Sequence, residues 1–153
     1  MKIKKSSAYA LHALAYMVRH RTQLPATTET ISKAEGIPSS YLAKIFQKLV
    51  RAHFVKAVSG KDKGYIFDEP PEDISLLRLF ETLEGGPLFD GCFLKHCKCG
   101  GTPDNCHIFS IWINSTKRIK ELLEETTVEN SAWNHPDHRF NVLPGSTEVL
   151  AKK

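Results

Sequence analysis

All four cysteines of the chain fall within fifteen residues: Cys92, Cys97, Cys99 and Cys106. His96 and His107 stand beside two of them, and glycines punctuate the stretch. Soft thiolates gathered in a Gly-rich loop suit an iron–sulfur cluster or zinc. The spacing Cys-x4-Cys-x-Cys-x6-Cys lacks the paired Cys-x2-Cys knuckles typical of structural zinc. Redox thiols without any metal are a third chemistry open to these residues. A cysteine nucleophile would make the protein an enzyme, but no separate oxyanion-type motif accompanies the cluster, so an enzyme is not expected.

A second group of residues suits a different task. Between Ser39 and about His53, Leu42, Ile45, Phe46 and Leu49 recur at i, i+3, i+4 and i+7, the signature of one apolar helix face. Tyr41, Lys44, Gln47, Lys48 and Arg51 point elsewhere. Ser39, Ser40 and Tyr41 sit at the helix start, where hydroxyls and backbone N–H groups can reach phosphates or base edges. A polar, basic face opposite a core face is what a major-groove helix requires.

The elements that must position these groups are legible around them. Residues 6–21 read as a helix apolar almost all round, with Tyr9, Leu11, Leu14, Met17 and Val18, and so as a core or interface helix. Leu24-Pro25 breaks it. Thr27 or Thr28 can cap a short second helix that ends at Gly36. Ile37-Pro38 forms a turn, and Ser39 can cap the third helix. The two short helices joined by Gly36-Ile37-Pro38 have the form of a helix-turn-helix. Residues 54–59 and 65–67 read as a hairpin with Lys61 and Lys63 at its tip. Helix, turn, basic helix and basic hairpin in that order make a winged helix. A fourth helix is expected over about 75–84 and a fifth over about 106–126. The tail from 129 is polar.

The charge follows the same division. Residues 1–67 hold 12 Lys/Arg against 3 acids, while residues 68–153 hold 9 against 14. A basic half joined to an acidic half implies an anionic partner for the first, and nucleic acid is the candidate; a solvated basic surface is the bland alternative. No apolar run approaches the roughly 18 residues needed to span a bilayer. Met1-Lys2-Ile3-Lys4-Lys5 followed by Ala8 to Val18 mimics a signal peptide, but His12 interrupts the short apolar run. Read as a core helix, it leaves the cytoplasm as the expected compartment.

Ser39-Ser40-Tyr41-Leu42-Ala43-Lys44-Ile45-Phe46-Gln47-Lys48-Leu49 resembles the recognition helix of the Rrf-two family of bacterial transcription regulators. Ala8-Tyr9-Ala10-Leu11-His12-Ala13-Leu14 is similar to that family's first helix. Gly64-Tyr65 and Pro70-Pro71-Glu72-Asp73-Ile74-Ser75-Leu76-Leu77 are similar to its wing exit and fourth helix. The resemblance covers roughly residues 1–125. It implies a homodimeric winged-helix repressor or activator that binds a pseudo-palindromic double-stranded operator. It also implies an iron–sulfur cluster, 2Fe–2S or 4Fe–4S, in the loop before the last long helix, with zinc as the alternative.

The resemblance assigns cluster ligands to Cys92, Cys99 and Cys106, with Cys97 as an extra thiol. Relatives complete the set with a His near the third Cys or an acid near the start of the first helix. Here that acidic position is Ala8, which leaves Cys97, His107 or a partner subunit's His12 as the fourth ligand. Two departures stand out. Ser59 replaces the family's wing arginine, with Lys61-Asp62-Lys63 in place of glycines, and Ala43 replaces a glutamate of the cluster-assembly regulators. The first shifts the wing from minor-groove reading to phosphate contacts, and the second points to a different DNA sequence.

The expectation is therefore a mainly α protein. Its parts are a winged helix-turn-helix domain over 1–85 with a two-stranded wing, a Cys-rich sensor loop over 86–105, a dimerisation helix over 106–128 and a polar tail over 129–153. The expected DNA contacts are Thr28, Ser39, Ser40, Tyr41, Lys44, Lys48, Lys61 and Lys63.

Overall fold

The computed structural model describes residues 3–92, 94 and 99–132. Cys97, His96 and the tail from 133 onward lie outside the described residues. The architecture is mainly helical, with one two-stranded antiparallel sheet.

Helix α1 (Lys5–Arg19) runs through the centre of the core. Tyr9, Ala10, Ala13, Leu14, Ala15, Tyr16 and Met17 are all buried on it. Its alanines let neighbours approach on several sides, and α1 packs against the second, third, fourth and sixth helices. Helix α2 (Thr28–Glu35) starts at Thr27, whose hydroxyl accepts from Thr30 N–H at 3.2 Å. It ends at Gly36, in the left-handed region at φ 69°. Helix α3 (Ser39–Arg51) buries Leu42, Ile45, Phe46 and Leu49, the four residues of the expected apolar face. Ser39 does not cap it: Pro38 occupies the extended N-cap position and Ser39 is the first helical residue.

Strands β1 (Val55–Val58) and β2 (Gly64–Phe67) form the wing, with Val55 paired to Phe67 and Val58 to Gly64. Ala26 pairs with Tyr65 through Ala26 N–H to Tyr65 O at 3.1 Å and Tyr65 N–H to Ala26 O at 2.8 Å. The approach is close enough to need a glycine at the neighbouring position. Gly64 has φ +153°, and a Cβ there would stand 2.8 Å from Ala26 O. The wing is thus fixed to the chain entering α2.

Helix α4 (Leu76–Glu84) is capped by Ser75, whose hydroxyl accepts from Arg78 N–H, and buries Leu76, Leu77, Leu79, Phe80 and Leu83. Helix α5 (His107–Glu125) has Cys106 at its N-cap position. It packs on α4 and buries only Thr116, leaving Ile108, Ile111, Ile113, Ile119 and Leu122 exposed.

The chain then turns back where only a polar tail is expected. Residues placed at the junction of helix and polar tail form a short helix, α6 (Val128–Ser131), whose Val128 is fully buried. A reciprocal cap between Thr127 and Asn130 sets its start. Leu76 N–H donates to Thr126 O at 2.8 Å, Val128 N–H to Ile74 O at 2.9 Å and Glu129 N–H to Pro71 O at 3.1 Å. Arg21 adds an ion pair to Glu129. A single buried valine inside a polar stretch gives no period, so only the fold reveals it.

Candidate nucleic-acid interface and cysteine loop

The face of α3 opposite its core carries Ser40, Lys44, Gln47 and Arg51, all exposed and spaced 4, 3 and 4 residues apart. Gln47 and Arg51 share this exposed stripe with Ser40 and Lys44, as their helical spacing implies. Ser39 is also exposed. Tyr41 and Lys48 lie to one side of this stripe and, with Lys44, line a cleft shared with Ser6 and Leu83. Tyr41 stays 42% exposed, with its ring edge-on to Tyr9 at 5.5 Å.

Lys61 and Lys63 are exposed at the wing tip. Thr28, at the first turn of α2, is half-buried, and its hydroxyl lies 3.3 Å from Glu29 Oε2. The Glu29 carboxyl is held below the usual carboxylate range, first by its own backbone N–H at the helix start. The Thr27 and Thr28 hydroxyls and the charge of Lys63 act in the same direction.

A buried polar group braces the two helices behind this face. Glu35, the last residue of α2, is 2% exposed and pairs with Arg19 of α1, while His12 Nδ1 lies 3.6 Å from its other oxygen. His12 was a candidate ligand for the cysteine loop. The structure instead sets it inside the core, where packing of α1 on α2 directs its ring at Glu35. The N-terminus of α1 is tied down as well. Glu84 accepts from Lys4 N–H at 2.9 Å and from the Ser7 hydroxyl at 2.6 Å. Burial pushes the Glu84 carboxyl up, but these donors and the Lys4 ammonium outweigh it and leave it below its ordinary value.

In the loop, Cys99 and Cys106 come together around Gly101. A Cβ placed on Gly101 would lie 3.3 Å from Cys99 Sγ and 3.7 Å from Cys106 Sγ, so the two sulfurs are within about 7 Å of each other. The missing side chain is what lets them face one space. Cys92 is half-buried one residue beyond Gly91, whose carbonyl accepts from Trp112 Nε1 at 2.9 Å. That bond fixes the strand of loop carrying Cys92 to the second turn of α5. Cys99 is exposed, and His107 is exposed beside Cys106. Among the described residues no three His, Cys, Asp or Glu side chains are gathered closely enough to hold a metal ion. Cys99 and Cys106 are therefore brought together, and Cys92 is held to α5 through its neighbour Gly91. Two converging thiols, with a third on the adjoining loop, fit a thiolate-ligated group in donor chemistry.

A family of regulators described as "Iron-dependent Transcriptional regulator" matches residues 3–132. The chain belongs to the Rrf2 family. Members of the Rrf2 family similar to this chain include the HTH-type transcriptional regulator IscR of Aliivibrio salmonicida. It is 28% identical over 124 residues, which span 81% of this chain and 73% of that protein. The solved structure of IscR from T. potens is 26% identical and superposes with a TM-score of 0.65, covering 86% of this chain and 85% of the other. CymR, the global cysteine regulator of B. subtilis, shares the fold at 24% identity with a TM-score of 0.74, covering 86% and 96%. The protein is thus a winged-helix transcription regulator of the Rrf2 family and not an enzyme. Among the described residues no helix is long and apolar enough to cross a membrane.

Proposed function

We propose that the protein is a homodimeric DNA-binding regulator whose affinity for its operator responds to an iron–sulfur cluster held by Cys92, Cys99 and Cys106. The observation that carries this reading is the wiring of α5. Its N-cap is Cys106, and the residues just past its C-terminus are hydrogen-bonded to the chain leading into α4. A change in the loop therefore acts on one end of a rigid rod whose other end is part of the reading head.

When bound, the cluster supplies ligation that oxygen, nitric oxide or iron starvation can remove. The chain's own part is to present the cysteine sulfurs as donors. Cys99 and Cys106 close the loop over Gly101, and Trp112 holds the segment carrying Cys92. Cys97 or His107 completes the set. Holding Cys92, Cys99 and Cys106 in this way biases the position of α5, a two-state element driven by ligand binding.

Ile108, Ile111, Ile119 and Leu122, which share one face of α5, form the dimer interface in this reading. Two-fold pairing places two α3 helices about one DNA turn, roughly 34 Å, apart on a pseudo-palindromic site. Lys44, Lys48, Ser40 and the wing lysines then neutralise phosphates or reach base edges, with Ser39, Tyr41 and Thr28 at their flanks.

Anaerobically purified protein should be brown and contain iron and sulfide. Cys106→Ala should lose the colour and fix operator affinity at its cluster-free value, while Cys97→Ala should stay coloured if Cys97 is the extra thiol. A Cys106 variant that still assembles the cluster and still responds to it would refute the mechanism. Lys44→Ala should weaken binding and lower the salt slope by about 1; fluorescence anisotropy unchanged across salt concentrations would remove Lys44 from the interface. The closeness of Cys99 and Cys106 also supports a second reading, a zinc or redox-thiol switch without iron. Colourless wild-type protein containing zinc would favour it.

A further inference from the structure

The cleft beside the recognition helix has a use that DNA contact does not exhaust. It measures about 220 Å³ and is lined by Ser6 of α1, Tyr41, Lys44, Ile45 and Lys48 of α3 and Leu83 of α4. Ile45 and Leu83 are core residues, 3% and 7% exposed, so the floor is apolar and backed by the packed interior. The Tyr41 ring is steadied edge-on by Tyr9. The volume lies below the roughly 300–1,000 Å³ of sites for drug-sized ligands, so any occupant is small.

Its charge is one-sided. Lys44 and Lys48 stand four residues apart on one helix, a spacing at which like charges repel. Among the described residues neither forms an ion pair. Glu84, next to Leu83 in the chain, is already engaged by Lys4 and Ser7. An anion between the two ammonium groups relieves their repulsion. A hydrocarbon or aryl group behind it gains by covering Ile45, Leu83 and the tyrosine ring. A bare inorganic anion would make no use of that floor.

We propose that this cleft binds a small amphipathic carboxylic acid, and that occupation competes with DNA for Lys44 and Lys48. The competition rests on the reading of α3 as the DNA-contacting helix; the binding does not. A regulator built this way has a second input, a metabolite acid read at the recognition helix itself, besides the cysteine loop.

The test uses the full-length protein with hexanoate and benzoate as probes and hexanamide as the uncharged control. In a ¹H–¹⁵N NMR titration, at least one acid should shift the amides of Ser6, Ile45 and Leu83 saturably at millimolar concentration, and hexanamide should not. In fluorescence anisotropy with a duplex selected from a random pool, the same acid should weaken DNA binding several-fold. Ser6→Trp, on the rim and off the recognition helix, should bind DNA like the wild type and lose the response to acid. No shift at these amides with either acid, in protein that binds DNA, overturns the cleft and leaves the regulator reading intact. Saturable shifts in protein that binds no duplex uphold the cleft and remove the DNA reading, and the competition with it. Equal inhibition in wild type and Ser6→Trp shows the acid acting elsewhere and overturns the proposal.

Discussion

Among the described residues, helices α1 and α5 are the two longest, 15 and 19 residues, and both are rich in large apolar side chains. Their surroundings differ. Nine residues of α1 are buried, against Thr116 alone on α5. On α1 the apolar positions run almost all round, and α2, α3, α4 and α6 close over them. On α5 only one side meets α4, and five isoleucine and leucine side chains stay between 39% and 52% exposed. Apolar content thus does not set burial; the number of elements available to cover it does. The reading head is complete within one chain, whereas on α5 Ile108, Ile111, Ile119 and Leu122 share one exposed apolar face of the kind that marks a protein–protein contact.

The largest effect should come from the closed region. Phe46→Ala removes a fully buried ring from the core face of α3, where it packs 4.4 Å from the Tyr65 ring of β2, and should cost about 3–5 kcal/mol, read by urea denaturation. A loss under about 1 kcal/mol would mean that the core of the head is not packed as described.

The open region should respond in the opposite way. Ile111→Asp together with Ile119→Asp should leave thermal stability of the head nearly unchanged but convert a dimer to a monomer in sedimentation. Truncating central interface anchors typically costs about 2 kcal/mol or more of association. A dimer that persists in the double variant would place the interface elsewhere.

The link between the regions can be loosened by a near-isosteric change. Val128→Thr buries a hydroxyl in an apolar site, a penalty of about 1–3 kcal/mol. Amide exchange should quicken at Leu76, Val128 and Glu129, whose N–H groups make the return connection, before it quickens in α3. Uniform acceleration across the head would show that α6 is no separate latch.

The smallest effect sharpens how α1 is held. The Glu84 carboxyl lies below its ordinary value in the fold. Its stabilisation is therefore present above the ordinary carboxylate range and is lost as pH falls through the lowered value. Glu84→Gln should lower the melting temperature near neutrality and flatten part of the acid slope. An acid slope identical to that of the wild type would assign that slope to other carboxylates.

Local patterns that repeat were legible in the residues alone. The spacing of Leu42, Ile45, Phe46 and Leu49 set the core face of α3, because helical period and burial are the same information. A threonine at 27 or 28 and Gly36 bracketed α2, because a hydroxyl and a left-handed glycine answer the unpaired groups at helix ends, and the structure chose Thr27. The clustering of the cysteines marked the loop, since thiol chemistry depends on residue type. What the tertiary structure decided rests on single contacts between distant segments, which leave no period. It drew Val128 into the core, turned His12 onto Glu35, brought Cys99 and Cys106 together around Gly101, and tied Gly91, the neighbour of Cys92, to Trp112. It also set Lys44 and Lys48 over Leu83, a neighbour more than thirty residues away along the chain. Side-chain type fixes what each of these groups can do; only packing fixes which partner it meets.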